Sequence, residues 1–529
     1  MNHQLFIPDF LKRAVTYYPD KIAVIDNNIR LTYRQFQERV NRLSNLLINL
    51  GVEKGDRVAY LAPNTLQMLE GFYGVMQIGA IMVPFNTRLI PSDYDYMINH
   101  SGAKVLLVDA ELSDLIEPVK EGLTGVEHFI ILPFEEEQKK EGWKNYEDLL
   151  NQASLEAPPI PQMNELDIAN ILYTSGTTGR PKGVMHSHRS LYFNALNTII
   201  HLRAADKDTL LHTLPLFHVN GWGTPFAFTG MGATHVMLRK INPRLIFDLI
   251  EKENVTVSCM APTVLNMLLN EPKSTTLEVT HDIRVVIAGS APPPSFIKLV
   301  EEELGFEFIQ VYGMTEAAPF LTVGHIKSHL NFEPERVYHL KAKTGIAMLN
   351  MDVRVINEHG DYVKPNGKEV GEIITSGNSV MEGYWKQPEE TAKSIVNGWY
   401  YTGDMATVDE EGYVEIVDRK KDIIISGGEN ISTIEVEGEI YKHPAILEVS
   451  VIAVPDEKWG EIPHAICVLK EGHSLTEDEF ITFCRGNLPH FKAPKSVQFM
   501  SELPKTASGK IQKNVLREPY WKEKGRKVN

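Results

Sequence analysis

An apolar run, Ile168 to Leu172, opens into Tyr173-Thr174-Ser175-Gly176-Thr177-Thr178-Gly179-Arg180-Pro181-Lys182-Gly183, and no other stretch limits the fold as strongly. A strand that runs into a small, flexible loop rich in N–H and O–H donors is a common way to cradle polyphosphates. The glycines let the backbone approach phosphate oxygens closely, the hydroxyls of Thr174, Ser175, Thr177 and Thr178 donate to the anion, and Lys182 supplies positive charge. The Walker pattern GxxxxGK[ST] does not fit, because Gly176 and Lys182 have the wrong spacing and Gly183 follows the lysine. The plain alternative for such a cluster is a surface loop.

Around this loop the chain alternates strand and helix. Thr32 and Gln35 form a capping box ahead of a helix with Phe36, Val40, Leu43 and Leu47 on one face, and Gly51 stops it. Val58–Leu61 and Lys104–Val108 read as strands, with helical Leu66–Gly79 between them. This alternation predicts a largely parallel sheet covered by helices. Glu135 to Glu165, with Pro158, Pro159 and Pro161, reads as loop. After the glycine-rich segment, Val184–His186 is extended and Leu191, Ala195 and Ile199 mark a helix. Gly371 to Gly412 is turn-rich with short strands. Beyond Asp418 the pattern changes to small α/β units, with Ser432/Glu435 and Thr476/Glu479 as helix caps and apolar runs at Val449–Val454 and Ala465–Leu469. The connector Asp418-Arg419-Lys420-Lys421-Asp422 reads, on its charge alone, as a solvated face.

At 529 residues the chain exceeds one ordinary core. An acidic balance, 53 Lys and Arg against 69 Asp and Glu, argues against nucleic acid as a partner. Cys259, Cys467 and Cys484 are far apart and form no CxxC pair, as expected of inert thiols in a reducing compartment. No apolar stretch approaches the roughly 18 residues needed to span a bilayer, so no transmembrane segment is expected. The terminal Lys527-Val528-Asn529 is not a peroxisomal address, and the expected location is the cytoplasm.

Five further segments, in order, join the loop: HTLPLFHVNGWG from His212, IAGSAP from Ile287, QVYGMTE from Gln310, YTGD from Tyr401 and PKTASGKI from Pro504. Together with Ser426-Gly427-Gly428-Glu429-Asn430-Ile431 they resemble, over about residues 10 to 520, the adenylate-forming superfamily of acyl-CoA synthetases, luciferases and peptide-synthetase adenylation domains. The resemblance implies an α/β fold with a large N-terminal domain of helix-covered sheets (1–418), a hinge (419–423) and a small mobile C-terminal α/β domain (424–529). It implies a carboxylic acid:CoA ligase that uses ATP, magnesium and coenzyme A, forms an acyl-adenylate, and releases AMP and pyrophosphate. The segments look closest to the medium- to long-chain fatty acid branch. An aryl or short sulfur-containing acid, or an acyl-AMP donor to a carrier protein, remains the alternative. A homodimer, and weak membrane association for a long-chain substrate, are left open.

The same resemblance implies the site. Lys510, His218, Glu316 and Thr315 take the catalytic positions, and Thr174 and Glu316 the magnesium. Thr174, Ser175, Gly176, Thr177, Thr178, Gly179 and Lys182 hold the pyrophosphate. Gly289, Ser290, Ala291, Gln310, Tyr312, Gly313 and Met314 belong to the adenine and magnesium segments, with Thr315 offering its hydroxyl to the α-phosphate. Asp404 and Arg419 hold the ribose end, Lys421 the hinge, and Gly427 and Gly428 the pantetheine tunnel. Trp222 is either a gate on an acyl tunnel or simply core.

Overall fold

The computed structural model describes residues 3–134, 140–174, 180–271, 281–289, 292–427, 429–505 and 511–521. Two large mixed sheets dominate the first 385 residues. One runs in the order Gly383–Tyr384, Lys182–Ser187, Ile168–Thr174, Ile81–Pro84, Arg57–Leu61, Ala103–Asp109, His128–Leu132 and Lys144–Asn145. The other places Phe306–Gly313, Ile283–Ile287, Val257–Met260, Thr209–His212 and Thr234–Met237 side by side. These central neighbours are parallel, as the strand–helix alternation predicts, whereas Phe320–Val323 beside Phe306–Gly313 and Lys182–Ser187 beside Ile168–Thr174 pair antiparallel.

Between the sheets lies the helix Leu66–Gln77, buried over all but its last residue, with its one carboxylate, Glu70, ion-paired to Arg39. It packs against Phe36, Val40, Leu43 and Leu47 of the helix Tyr33–Asn49, whose capping box forms as predicted. Val58, Tyr60 and Met82 from one sheet and Leu210 and Val257 from the other complete one continuous core. Burying a helix all round is the sheet-to-sheet arrangement that fixes the angle between the two strand ends, where ligands of open α/β sheets bind.

Three expectations are corrected. Gly371 to Gly412 holds a ten-residue strand, Trp399–Val408, at the centre of an antiparallel sheet with Gly371–Gly377 and Val414–Arg419. The loop expected over Glu135 to Glu165 contains a helix, Tyr146–Gln152, whose cap Asn145 accepts from the Asp148 N–H, so the capping signal was present and outweighed by the prolines nearby. The charged connector is a solvated face only in part: Arg419 and Lys420 are exposed, whereas Asp418 and Asp422 are 2% and 8% exposed. The Asp418 carboxylate accepts from the backbone N–H and hydroxyl of Thr433 at 2.6 and 2.7 Å, and Arg517 clasps Asp422.

The C-terminal region is built on the long antiparallel pair Ile446–Asp456 and Gly460–Leu469, flanked by helices Thr433–Ile440 and Glu477–Asn487 whose caps are the predicted Ser432 and Thr476. All three cysteines are buried and free. Among the described residues no helix is long and apolar enough to cross a membrane.

Candidate active site

The strand Ile168–Thr174 delivers Thr174 to its end, and Lys182–Ser187 leaves beside it, with Thr174 opposite Lys182 in the register. Ser175, Gly176, Thr177, Thr178 and Gly179 lie outside the described residues, as do Ser290, Ala291, Gly428 and Lys510. Lys182 does not stand alone. Its ammonium is 2.6 Å from Glu390 and sits over the Tyr384 ring, 4.9 Å from the centroid. That bond, with a second from Lys393, draws the Glu390 carboxyl down to about 2.

The strand Phe306–Gly313 ends in a turn that gathers several predicted residues. Gln310 is buried opposite Ile287, two residues ahead of Gly289, which has φ +100°. A Cβ on Gly313 would stand 2.0 Å from the Pro319 carbonyl oxygen, so no side chain fits there. Met314 caps the short 3-10 turn Thr315–Ala317, which carries Thr315 and Glu316. The Tyr384 hydroxyl donates to Glu316 Oε1 at 3.0 Å, and the Met381 N–H donates to the Glu316 carbonyl at 2.8 Å.

The antiparallel sheet brings the sugar-end residues to the same place. Asp404 faces Arg419 across paired strands, with Oδ1 and Nε 3.4 Å apart. The Tyr312 hydroxyl donates to Asp404 Oδ2 at 2.7 Å across 92 residues of sequence. Burial, with the negative Asp404 second, raises the Tyr312 phenol, so it remains a donor. Just beyond, the Lys421 carbonyl accepts from Arg517 at 2.9 Å, and burial draws the Lys421 ammonium down to about 8. Gly427, with φ +58°, donates its N–H to the Trp459 carbonyl at 2.8 Å and has the indole against it.

The acid segment is built differently. His218 is half-buried and caps a turn in which Val219, Asn220, Gly221, Trp222 and Gly223 all have positive φ, from 48° to 74°. A run of left-handed residues costs roughly 1–2 kcal/mol for each one that carries a Cβ, so packing must hold it. Asn194 does so from one side, donating to the Trp222 carbonyl at 3.2 Å. Trp222 is 6% exposed and meets Phe320 edge-on at 5.9 Å, in a cluster with Leu172, Leu214 and Val311. Of the two readings of Trp222, the structure favours core. Asn220 is 1% exposed, and neither its Oδ1 nor its Nδ2 has a hydrogen-bond partner.

Tyr384, Glu390, Arg517 and Asn220 are absent from the sequence reading. The first three act through contacts spanning 68, 208 and 95 residues, which no local pattern announces. Asn220 lay inside a quoted segment, and asparagine next to glycine is itself a positive-φ signal.

The strand end at Thr174, the acidic turn at Glu316 and the tyrosine-backed Asp404 carboxylate gather donors and carboxylates of the kind a nucleotide-dependent enzyme uses. The AMP-binding enzyme family matches residues 11–385, and its C-terminal domain matches 435–510. The chain is 38% identical to 4-hydroxybutyrate–CoA ligase 2 of Metallosphaera sedula, over 96% of this chain and 93% of that protein. It is 39% identical to 2-methylpropanoate–CoA ligase of Humulus lupulus, over 96% and 94%. The anthranilate CoA ligase AuaEII, solved with anthranoyl-AMP, superposes with a TM-score of 0.88 at 26% identity, covering 98% of each chain. The chain belongs to the AMP-binding enzyme family, in its acyl-CoA ligase branch.

Proposed function

We propose that this AMP-forming acid–CoA ligase activates a short carboxylic acid that carries a hydrogen-bonding group away from its carboxylate. The observation that carries the choice of acid is Asn220, a fully buried amide with both polar ends unpaired. An orphaned buried amide costs about 1–3 kcal/mol, which a hydroxyl or carbonyl on the substrate would relieve. Trp222, packed against Phe320 as core, lends no support to a gate on a long acyl tunnel. The medium- to long-chain fatty acid expected from the motifs therefore has less support than the acids named for the hydroxybutyrate and methylpropanoate relatives.

In this reading a carboxylate oxygen attacks the α-phosphorus of ATP and pyrophosphate departs. The CoA thiol then attacks the acyl carbon, the bond to AMP breaks, and the thiol proton passes to solvent. Lys510 bridges carboxylate and phosphate oxygens in the first step, Thr315 holds the α-phosphate, and His218 borders the carboxylate. The loop 174–183 grips the leaving pyrophosphate, and Tyr312, Asp404 and Arg419 hold the nucleoside. Glu316 and Thr174 offer hard oxygens that suit magnesium carried on a polyphosphate. When bound, that ion supplies charge neutralisation on the phosphates. The two steps need different groups at one acyl carbon, so the region after Lys421 turns to exchange the Lys510 face for the Gly427–Gly428 face.

The test is a panel of acids from acetate to palmitate, with 4-hydroxybutyrate, 2-methylpropanoate, cinnamate and benzoate. AMP release and acyl-CoA formation are measured with MgATP and CoA. The expected result is turnover concentrated in short acids, with 4-hydroxybutyrate first. Turnover confined to long chains would return the fatty acid reading. AMP release without CoA consumption would instead favour transfer to a carrier protein.

A further inference from the structure

His186 lies on the strand Lys182–Ser187 that leaves the glycine-rich loop, and the register sets it directly opposite Asn170 on the strand that enters. Both residues are fully buried. One ring nitrogen, Nε2, is 2.8 Å from the Thr315 carbonyl oxygen; the other, Nδ1, is 3.0 Å from the Asn170 side-chain oxygen. Two oxygen acceptors demand two ring N–H groups, and only an imidazolium has both. Burial opposes that charge and draws the ring down to about 4. A neutral ring can donate to one oxygen only. At the same time, the Asn170 amide nitrogen has no partner.

Both difficulties vanish if the Asn170 amide is turned by half a revolution, because its oxygen and nitrogen occupy equivalent positions. The nitrogen then donates to His186 Nδ1, and His186 Nε2–H donates to Thr315. The oxygen takes the unpaired place, which is the less costly orphan. The Thr315 carbonyl also receives the Ala318 N–H at 3.2 Å, so both its lone pairs are used.

We infer that His186 is a positioning residue, held by Asn170 as the neutral Nε2–H tautomer, that fixes the Thr315–Glu316 turn through the Thr315 carbonyl. Its donor completes a three-point clamp on that turn, alongside the Met381 N–H on the Glu316 carbonyl and the Tyr384 hydroxyl on the Glu316 carboxylate. Tyr384 itself pairs with Val184 on the His186 strand. One strand thus ties the loop that grips phosphate to the turn that offers Thr315 and Glu316. The tie rests on the reading above that this turn serves the nucleotide, whereas the tautomer does not.

Two measurements on the full chain separate those parts. With ¹⁵N-labelled histidine, two-bond correlation spectra at neutral pH should show the His186 signal, identified by its loss in His186→Gln, as a neutral ring protonated at Nε2. A ring protonated at Nδ1, or an imidazolium, would overturn the inference whatever the enzyme's substrate. In pyrophosphate exchange, His186→Leu should raise the KM for ATP about tenfold, the loss of one hydrogen bond of about 1.4 kcal/mol. The KM for supplied acyl-adenylate in thioester formation should rise less than the KM for ATP, since that intermediate keeps the α-phosphate held by Thr315 but no longer carries the pyrophosphate on the Glu316 side of the turn. His186→Gln, whose amide can still donate to Thr315, should recover most of the KM. Equal losses in both half-reactions, or no difference between Leu and Gln, would show a packing role only. Absence of exchange in the wild-type chain with every acid would defeat the proposed function and leave the tautomer result standing.

Discussion

The nucleotide end of the site and the acid segment are assembled by opposite rules. At the nucleotide end three polar pairs are already made by residues far apart along the chain: Tyr312 on Asp404, Tyr384 on Glu316, Glu390 on Lys182. At the acid segment the backbone is wound left-handed over five residues, and the buried Asn220 amide is unpaired. Groups that serve a substrate shared by the whole family can be fixed in advance, and their bonds cost nothing to reorganise during reaction. A group that recognises one particular acid must keep its hydrogen bonds unspent until that acid arrives. The strain tolerated around Asn220 fits a functional turn, because packing from Asn194 and Phe320 over-determines it.

The largest effect should come from Lys510→Ala. Acyl-adenylate formation should fall by about 10³-fold, the upper range for removing one preorganised donor, while supplied acyl-adenylate is still converted to thioester. Equal loss of both steps would refute the assigned division. Next, Asp404→Ala removes the partner of both Tyr312 and Arg419, and the KM for ATP should rise about 100-fold, as for loss of a charged hydrogen bond. Its preference among acids should not change. A shift in acid preference would erase the contrast between the two regions.

Acidification loosens both regions together. Burial draws His186 and His188 to about 4 and His212 to about 3, from 6.5. Their folded values lie below the unfolded ones, so the stability they permit is full above pH 6.5 and is lost as pH falls toward those values. Each should cost roughly 1 kcal/mol between pH 6.5 and about 5.5. Thermal melts should show Tm falling over that interval; a flat Tm would mean that these rings are protonated in the folded chain. His212 also lies 2.9 Å from His235, so protonating either one meets the other.

Asn220→Gly gives the smallest and most selective effect. Glycine keeps the positive φ and removes the amide. kcat/KM for the preferred acid should fall about tenfold, one hydrogen bond's worth, with the KM for ATP unchanged and Tm not lowered. A fall in Tm with equal loss for every acid would make Asn220 a structural residue.

The parts of the molecule legible in sequence are those written as contiguous strings. The capping boxes at Thr32 and Thr476, the strand into Thr174, and the turn Gly313 to Glu316 all lie where the residues place them. Helix caps and glycine requirements are local, so local patterns announce them. The supports were not legible, because Tyr384, Glu390 and His186 reach their partners only after the sheets assemble. The acid segment was less legible for another reason. Val219 and Trp222 with positive φ contradict their own preferences, so tertiary packing overrode the signal that sequence reasoning uses. How that turn packs is not written in the motif string, which alone pointed toward longer chains.

Pyrophosphate exchange with a series of acids, recording the KM for ATP beside kcat/KM for each acid, tests the contrast most directly. The account predicts that the KM for ATP stays within about twofold across the series, while kcat/KM ranges over at least about 100-fold, about two hydrogen bonds' worth of discrimination. A KM for ATP that moves with each acid as strongly as the acid's own kcat/KM would contradict it, because the nucleotide end would then not be built in advance.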